Sequence, residues 1–377
     1  MSVKILFISS TLEPGKCGVA DYIYSLSSKL ASMGIKCACL AIHDHYLDPS
    51  IPGLLFRCTI EHVDILRIPA DISWSLKLLL IKQCLISLDP DWISLQYVPY
   101  AYDSKGLPFA FLSCCRSLPY RHKWDITAHE LWVDPSTSLR HRALSKLQRL
   151  IFQRLCSYLK PTTLHVTNTW YHHQLKSISI HSSIIPLFSN IPLVPLSPLP
   201  VKSNSTWRFV FFGSINREWD PDHLLKQIEV ARRYYNIDSC HFISIGKIGA
   251  YGENLWDSLE SYSYPHFSFS RLGLLPADSI SEQLQLADFG ISVMPDILIE
   301  KSGSVAAMLA HGLPIIISRL SDGCEFWHQE LRRRGSYILL DSSFVENLGS
   351  SSKYQPIDQL DVSASCFISS LQISIPG

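Results

Sequence analysis

The sequence predicts an α/β fold built from two parallel-sheet domains, and three observations lead to this prediction. A buried strand pattern at 4–9 is followed by a helix pattern at 19–33 and a second strand pattern at 35–42. The same alternation begins again with a strand pattern at 207–212, after a proline-rich stretch. The 377 residues, 47% of them hydrophobic, are enough to build two cores. Because parallel strands need helical crossovers, this order implies parallel sheets covered by helices.

Hydrophobic periodicity predicts the other elements of the first half in chain order. Helix patterns are found at 74–88 and 139–159, and short buried runs that predict strands are found at 92–95, 125–128 and 163–167. The first of these helices is expected to end at Asp89 and Pro90, since proline cannot continue a helix.

Residues 185–205 predict a linker, since five prolines fall there among serine and asparagine residues. Beyond it, strands are predicted at 207–212, 240–245, 267–269, 289–294 and 313–317, and helices from Asp220 onwards, at 279–287 and at 302–310. We therefore expect an N-terminal domain over 1–195, a second domain over 196–350 and a C-terminal tail over 351–377 with a helix at 363–371.

Composition excludes several classes of function. Lys and Arg (33) balance Asp and Glu (33), so the chain has no electrostatic footprint for nucleic acid. No apolar run is long enough for a membrane-spanning helix, and the first residues are too short an apolar run for a signal peptide. The 11 cysteines form no pair of Cys-x-x-Cys motifs, and His172 with His173 lacks a third ligand at metal spacing. We expect a cytoplasmic protein with reduced thiols and no bound metal.

The stretch 300–317 has the pattern of a phosphate-binding loop and helix. Ser302, Gly303 and Ser304 place backbone N–H groups and hydroxyls at the start of a short apolar helix, where the helix dipole favours an anion. Lys301 adds a positive charge beside them, and Gly312 ends the helix. The alternative is an ordinary helix start in an α/β domain.

Polar residues follow predicted strands at the edge where open α/β sheets bind ligands. His129 follows the strand at 125–128, and Gln96 and Tyr97 follow the strand at 92–95, offering an amide and a phenol suited to sugar hydroxyls. The alternatives are a hydrogen-bonded core histidine and ordinary loop packing. The loop after the first strand contains Gly15 and Gly18 but no third glycine, so a dinucleotide-binding fingerprint is absent, as is a Walker phosphate loop.

Several short motifs together resemble the GT-B glycosyltransferases, in particular the retaining group known as family 4. The motifs are PGKCGVADY at 14–22, LQYVPY at 95–100, KGLP at 105–108, HELW at 129–132, FGSI at 212–215, ADFGI at 287–291 and AHGLP at 310–314. The resemblance implies two Rossmann-like domains that face each other across a cleft. It also implies metal-independent transfer of a hexose from a nucleoside-diphosphate sugar, with the nucleotide on the second domain, the acceptor on the first, and no further cofactor. In this family the last helix often returns to the first domain.

The resemblance assigns roles to particular residues. Catalytic roles are expected for His129, Arg217 and Lys301. Donor binding is expected from Gly18, Gly213, Ser214, Glu300, Ser302, Gly303 and Ser304. Acceptor binding is expected from Lys16, Gln96, Tyr97 and Glu130.

The chain departs from the family pattern at two places. Many members carry two glutamates eight positions apart; here the first place falls on Ile299, beside Glu300, and the second on Ala307. Many also carry an arginine and a lysine after the strand-end glycine, where this chain has Ser214 and Trp219. Arg217 and Lys301 are expected to replace that pair of charges. Two alternatives stay open: a catalytically silent module that binds a partner or glycan, and a nucleotide-sugar epimerase with Glu130 as its acid–base group.

The acceptor class is left open by the sequence: a glycan, a lipid-linked glycan and a small molecule all fit. The predicted helix at 139–159 and the residue after it carry seven basic residues, which favours peripheral contact with anionic lipid at the inner membrane surface. These residues are Arg140, His141, Arg142, Lys146, Arg149, Arg154 and Lys160. The alternative is a solvated helix face.

Overall fold

The computed structural model describes residues 3–47, 53–118, 122–133, 138–195, 205–215, 217–261 and 265–373, and these confirm the α/β prediction. The chain divides into two compact units, the first running to Pro186 and resuming at Leu360, and the second running from Leu187 to Gln359. No helix within these ranges is both long and apolar enough to cross a membrane.

These divisions differ from the predicted ones at 195 and 350 because residues that flank the predicted second domain on both sides pack into the second unit. The backbone of Val194 is hydrogen-bonded to Ser281 and Gln285, and Lys353 donates to the carbonyl of Gln285. Tyr354 likewise donates its hydroxyl to the carbonyl of Leu309. Residues 196–204 of the predicted linker lie outside the described residues.

The described part of the first unit forms an eight-stranded sheet in the order β3-β4-β2-β1-β5-β6-β7-β8. Its strands are β1 (Lys4–Ser9), β2 (Lys36–Asp44), β3 (Phe56–Ile60), β4 (Val63–Pro69), β5 (Trp92–Tyr97), β6 (Lys123–Ala128), β7 (Thr163–Val166) and β8 (Ser183–Ile184). Its helices before the second unit are α1 (Gly18–Ser32), α2 (Trp74–Leu88), α3 (Phe109–Arg116), α4 (Leu139–Leu159) and α5 (Thr169–Lys176). The central strands are buried, as expected for a parallel sheet covered on both faces.

The sequence analysis missed the pair β3 and β4, the antiparallel pair in this sheet among the described strands. Strand β3 is largely exposed and carries no clear apolar alternation. The turn that joins the two strands is made by Glu61 and His62, both with positive φ, where a glycine or asparagine would have signalled a hairpin.

The described part of the second unit forms a six-stranded sheet, in the order β11-β10-β9-β12-β13-β14. Its strands are β9 (Thr206–Phe212), β10 (Ser239–Ile245), β11 (Phe267–Gly273), β12 (Phe289–Pro295), β13 (Ile315–Arg319) and β14 (Tyr337–Leu339). Its helices are α6 (Asp222–Tyr234), α7 (Gly249–Glu260), α8 (Ala277–Leu286), α9 (Gly303–Ala310), α10 (Glu325–Arg333) and α11 (Phe344–Ser350). Strand β11 is longer than predicted. In the two units together, α3, α5, α7, α10, α11, β8 and β14 were also not predicted.

The final helix, α12 (Gln359–Ser370), packs on the first unit. Phe367 stacks on Phe7 of β1 with ring centroids 5.8 Å apart. Ser363 donates its hydroxyl to the carbonyl of Pro186 at 2.6 Å, and Asp361 pairs with Lys29 of α1. The helix thereby completes the core beside the central strand of the first sheet.

Candidate functional site

Three adjacent strands of the second unit end in glycines. Gly213, Gly246 and Gly273 end β9, β10 and β11 with φ of 90°, 90° and 65°, a region that other residues rarely adopt. The N–H of Gly213 donates to Ile245 O at 2.9 Å, and that of Gly246 donates to Gly273 O at 2.7 Å. This strand-end edge, called the glycine edge below, therefore presents backbone rather than side chains. Gly246 and Gly273 were not predicted, although a glycine after each of three successive strands is visible in the sequence.

The N-terminus of α9 lies against the glycine edge. A Cβ placed on Gly213 would come within 2.8 Å of Ser304 Oγ, so the two residues are in direct apposition. Ser302 is the N-cap, and its hydroxyl accepts from Val305 N at 3.3 Å. Within the described residues, Gly303 N and Ser304 N take no backbone acceptor, as is usual for the first N–H groups of a helix. The arrangement suits an anion held between two N–H groups and a hydroxyl.

Lys301 and Glu300 lie on a short 3₁₀ segment, Asp296–Lys301, directly before α9. The carboxylate of Glu300 accepts from Arg334 Nη1 at 2.7 Å, and the Arg334 guanidinium lies 5.3 Å from the centre of the Trp327 ring. Glu300 was expected at a donor sugar. The structure pairs its carboxylate with Arg334, directly after α10, and its role at a donor sugar stays a prediction.

The segment that carries Lys301 is anchored at its start by Asp296, which is fully buried. Asp296 accepts from Ser321 N at 3.0 Å and from His328 Nε2 at 2.7 Å, while its carbonyl accepts from Trp327 Nε1 at 3.1 Å. These contacts fix the approach to α9 from β13 and α10. The sequence analysis missed Asp296, although an acidic residue directly after a buried strand was a usable signal.

The loop after Gly213 places Ser214 and Arg217 at the surface, and the residue between them at 216 lies outside the described residues. Trp219 is buried and donates its Nε1–H to Ser318 Oγ at 2.9 Å, so it belongs to the core. Ala307, at the place of the family's second glutamate, is also fully buried. That position faces the core, and the chain places no carboxylate there.

In the first unit, the neighbouring strands β5 and β6 bring Gln96 and His129 together. Their register pairs Tyr97 with Ala128, and His129 Nε2 lies 2.8 Å from Gln96 Oε1. The edge of the His129 ring also contacts Tyr22 of α1, with centroids 4.9 Å apart. His129 is half-buried, so it lies at the boundary between core and solvent at the carboxyl end of the sheet.

A buried polar network continues beneath Gln96, and it was not predicted. Gln96 Nε2 donates to Ser94 Oγ at 2.8 Å, and Ser94 donates to Asp125 Oδ2 at 2.5 Å. Asp125 is fully buried and also lies 2.7 Å from His165 Nδ1. A carboxylate inside the strand pattern at 125–128 was the signal that could have revealed it.

Tyr97 corrects one expectation. Its side chain is fully buried, packs on Phe152 with centroids 5.4 Å apart, and has a pKa raised by burial. Since successive strand residues point to opposite faces, the side chain of Tyr97 lies on the other face of the sheet from that of Gln96. Its phenol therefore packs in the core and is not available to an acceptor.

The remaining predicted residues of the first unit lie at the starts of loops or helices. Gly18 is exposed, begins α1, and has open space where a Cβ would stand. Lys16 is exposed in the loop before it, where Asp21 Oδ1 accepts from Gly15 N at 2.8 Å. Glu130 is half-buried directly after His129. Among the residues that the structure describes, no group of three His, Cys, Asp or Glu side chains could hold a metal ion.

Comparisons with known proteins identify the fold. No protein-family model and no curated protein gave a match. Among solved structures, the chain is similar to α,α-trehalose-6-phosphate synthase from Burkholderia multivorans (TM-score 0.57, 10% identity, 99% of this chain and 98% of that one). It is also similar to a trehalose-6-phosphate synthase analysed for glycosyl transfer with retention (0.52, 11%, 99% and 100%). A third is UDP-GlcNAc 2-epimerase from Methanocaldococcus jannaschii (0.53, 11%, 99% and 99%). At these identities the likeness shows the fold alone, which is that of GT-B proteins with two Rossmann-like domains.

Proposed function

We propose that this chain is a glycosyltransferase that moves a hexose from a nucleoside-diphosphate sugar to an acceptor hydroxyl with retention of configuration and without a metal. The observation that carries the proposal is the apposition of Gly213 and Ser304, which sets the start of α9 against the glycine edge. A diphosphate fits this arrangement because the helix N-terminus and bare backbone can approach its oxygens closely.

The charges around this site support the same reaction. Lys301 adjoins Ser302, and Arg217 is exposed in the loop that follows Gly213. As the diphosphate leaves, negative charge grows on its oxygens, and two cations with the N–H groups of Gly303 and Ser304 offset that charge. Ser214 belongs to the same donor group. In the first unit, His129, Gln96, Glu130, Lys16 and Gly18 remain the candidates for acceptor and donor-sugar contacts.

The known activities of the similar structures divide between glycosyl transfer and epimerisation. One was analysed as a retaining glycosyltransferase, and another is a UDP-sugar epimerase. Epimerisation needs acid–base carboxylates at the sugar, and the pairing of Glu300 with Arg334 leaves Glu130 alone among the predicted site residues for that role. Transfer is therefore the favoured activity, and uridine diphosphate is the first nucleotide to test. A silent binding module is the second candidate, because Ala307 supplies no carboxylate.

Thermal unfolding of the purified chain with nucleoside diphosphates and their sugars, without added metal, tests the proposal. A ligand that binds only the native state raises the unfolding midpoint as its concentration exceeds its Kd. We expect one diphosphate and its sugar to raise the midpoint, and Lys301→Ala to remove at least half of that rise. Lys226→Ala, an exposed lysine of α6, is the matched control and should retain it. The absence of a shift with every nucleotide would contradict the proposal.

Product analysis separates the three activities. A sugar nucleotide incubated alone should stay unchanged in a transferase, apart from slow hydrolysis, whereas an epimerase would yield its epimer in proton NMR spectra. Turnover should appear on addition of an acceptor from a glycan, lipid-linked or small-molecule panel. Nucleotide binding without product in any mixture would favour the silent module.

A further part of the proposal concerns location: a cytoplasmic chain whose helix α4 contacts anionic lipid. Helix α4 contains no acidic residue, and Leu139, Leu147 and Leu150 are 79%, 42% and 48% exposed on it. We expect co-sedimentation with vesicles that contain anionic lipid, and several-fold weaker binding when Arg140, Lys146 and Arg154 are changed to Ser. The matched control changes three exposed basic residues of the second unit, Lys226, Arg233 and Arg333, to Ser. Equal binding by both variants would contradict this contact.

A further inference from the structure

We infer that Asp125, Ser94 and Gln96 act as positioning residues that fix the neutral His129 ring with its proton on Nε2 and its lone pair on Nδ1. A series of hydrogen bonds runs from the core to the strand-end edge of the first unit, and the donor and acceptor at each bond are fixed by the one before it. It rests on the proposed function only for the use that a ligand makes of His129.

The series of hydrogen bonds begins at Asp125, whose carboxylate accepts from three hydroxyls. Ser94 Oγ donates to Asp125 Oδ2 at 2.5 Å, and Thr127 Oγ1 donates to the same oxygen at 3.2 Å. Thr163 Oγ1 donates to the other oxygen at 2.9 Å. A carboxylate accepts and does not donate, so the single hydroxyl proton of Ser94 is committed to Asp125.

The next two links follow from that commitment. Because Ser94 has no second proton, its oxygen can only accept from Gln96, and the NH₂ group of Gln96 must face it at 2.8 Å. The amide oxygen of Gln96 then faces His129 Nε2 at 2.8 Å. An amide oxygen only accepts, so Nε2 must carry a proton whether the ring is neutral or charged.

The consequence for His129 is that Nδ1 is the acceptor nitrogen of the neutral ring. Any hydroxyl that meets Nδ1 of the neutral ring must donate to it, whereas a protonated Nδ1 would repel the hydroxyl proton. The buried aspartate thereby determines, through two neutral side chains, which nitrogen of a half-buried histidine accepts a proton. Asp125 and Ser94, both fully buried, act on the strand-end edge from within the core.

The second unit contains a histidine with the opposite polarity, which supplies an internal reference. His311 Nδ1 lies 2.7 Å from the carbonyl oxygen of Ala307, and its Nε2 lies 2.8 Å from Ser281 Oγ. A carbonyl only accepts, so the proton of His311 is on Nδ1, and Ser281 donates to Nε2. The two rings should therefore show opposite tautomers in one spectrum.

Nitrogen-15 NMR of the full chain with labelled histidine tests the inference at about pH 8, where most imidazoles are neutral. His129→Asn and His311→Asn identify the two sets of signals. We expect a protonated Nε2 for His129 and a protonated Nδ1 for His311. Ser94→Ala should free the Gln96 amide to rotate and change the His129 tautomer ratio by roughly fivefold, the effect of about one net hydrogen bond.

Thr163→Val is the matched control, because it removes a hydrogen bond to Asp125 outside the path to His129. It should leave the His129 ratio as in the wild type. A protonated Nδ1 on wild-type His129 would overturn the inference, and this measurement needs no variant in the network to fold. An equal response to Ser94→Ala and Thr163→Val would also overturn it. The spectra need no nucleotide, so failure here is distinct from failure of the proposed function.

Discussion

The strand-end edges of the two units differ in the chemical groups that they present. In the first unit the edge consists of polar side chains, among them His129 and Gln96, backed by the buried Asp125. In the second unit it consists of glycine backbone, and the N-terminus of α9 packs against Gly213. Both edges come from the same parallel α/β plan, so the plan alone does not decide which groups a ligand meets.

The difference teaches what each edge can recognise. Backbone N–H groups at a helix start attract any anion, and their partial positive charge does not change with pH. Side chains such as His129 distinguish hydrogen-bond donors from acceptors. A reaction that moves a sugar off a diphosphate needs both kinds of group: the first for the leaving phosphate, and the second for the hydroxyls of sugar and acceptor.

The largest expected effect comes from placing a side chain in the glycine edge. Gly213→Ala places an alanine where φ is near 90°, which is strained for any residue other than glycine, and brings its Cβ to 2.8 Å from Ser304 Oγ. We expect a loss of about 2 kcal/mol in stability and at least tenfold weaker diphosphate binding. Denaturant unfolding and calorimetric titration with the diphosphate measure the two quantities.

Two further variants separate backbone strain from the contact with Ser304. Gly335 has φ of 71° and open space at its Cβ, so Gly335→Ala should lower stability without weakening nucleotide binding. Adding Ser304→Ala to Gly213→Ala removes the crowded hydroxyl and should restore part of the lost stability. Equal nucleotide affinity in Gly213→Ala and the wild type would show that the glycine edge is not the donor site.

The sequence predicted features that depend on neighbouring residues, and it did not predict features that depend on contacts between distant ones. The α9 start was predictable, since Ser302-Gly303-Ser304 and the later Gly312 are local signals for a cap and a stop. The apposition of Gly213 with Ser304 was not predictable, because it joins residues far apart in the sequence through the sheet order. The polar network beneath Gln96 was not predicted for the same reason, because Ser94 and Asp125 are neighbours only through the register of β5 and β6. The ion pair of Glu300 was not foreseen, because its partner, Arg334, directly follows a helix that was not predicted.

A smaller effect concerns acid: we expect the edge of the first unit to lose stability at low pH, because of His43 near the end of β2. Lys77 is fully buried, donates to Ala70 O at 2.9 Å, and lies 2.5 Å from His43 Nδ1. His43 also contacts His45, with ring centroids 4.6 Å apart. Burial, followed by the charges of Lys77 and His45, lowers the pKa of His43 to about 4, and the neighbouring Asp44 opposes this only in part.

The sign of the effect follows from the two pKa values of His43, about 6.5 in the unfolded chain and about 4 in the folded one. Between them the unfolded chain binds more protons, so stability falls as the pH drops from 6.5 to 4. His43→Gln keeps an acceptor for Lys77 but does not titrate, and it should reduce that loss by about 1 kcal/mol after allowance for partial exposure. Denaturant unfolding at pH 7 and at pH 4.5 measures it, with His223→Gln on the exposed face of α6 as control. Equal losses of stability in acid by His43→Gln and the wild type would contradict this prediction. They would mean that His43 has the same pKa in the folded and the unfolded chain, so that the first edge is not acid-sensitive.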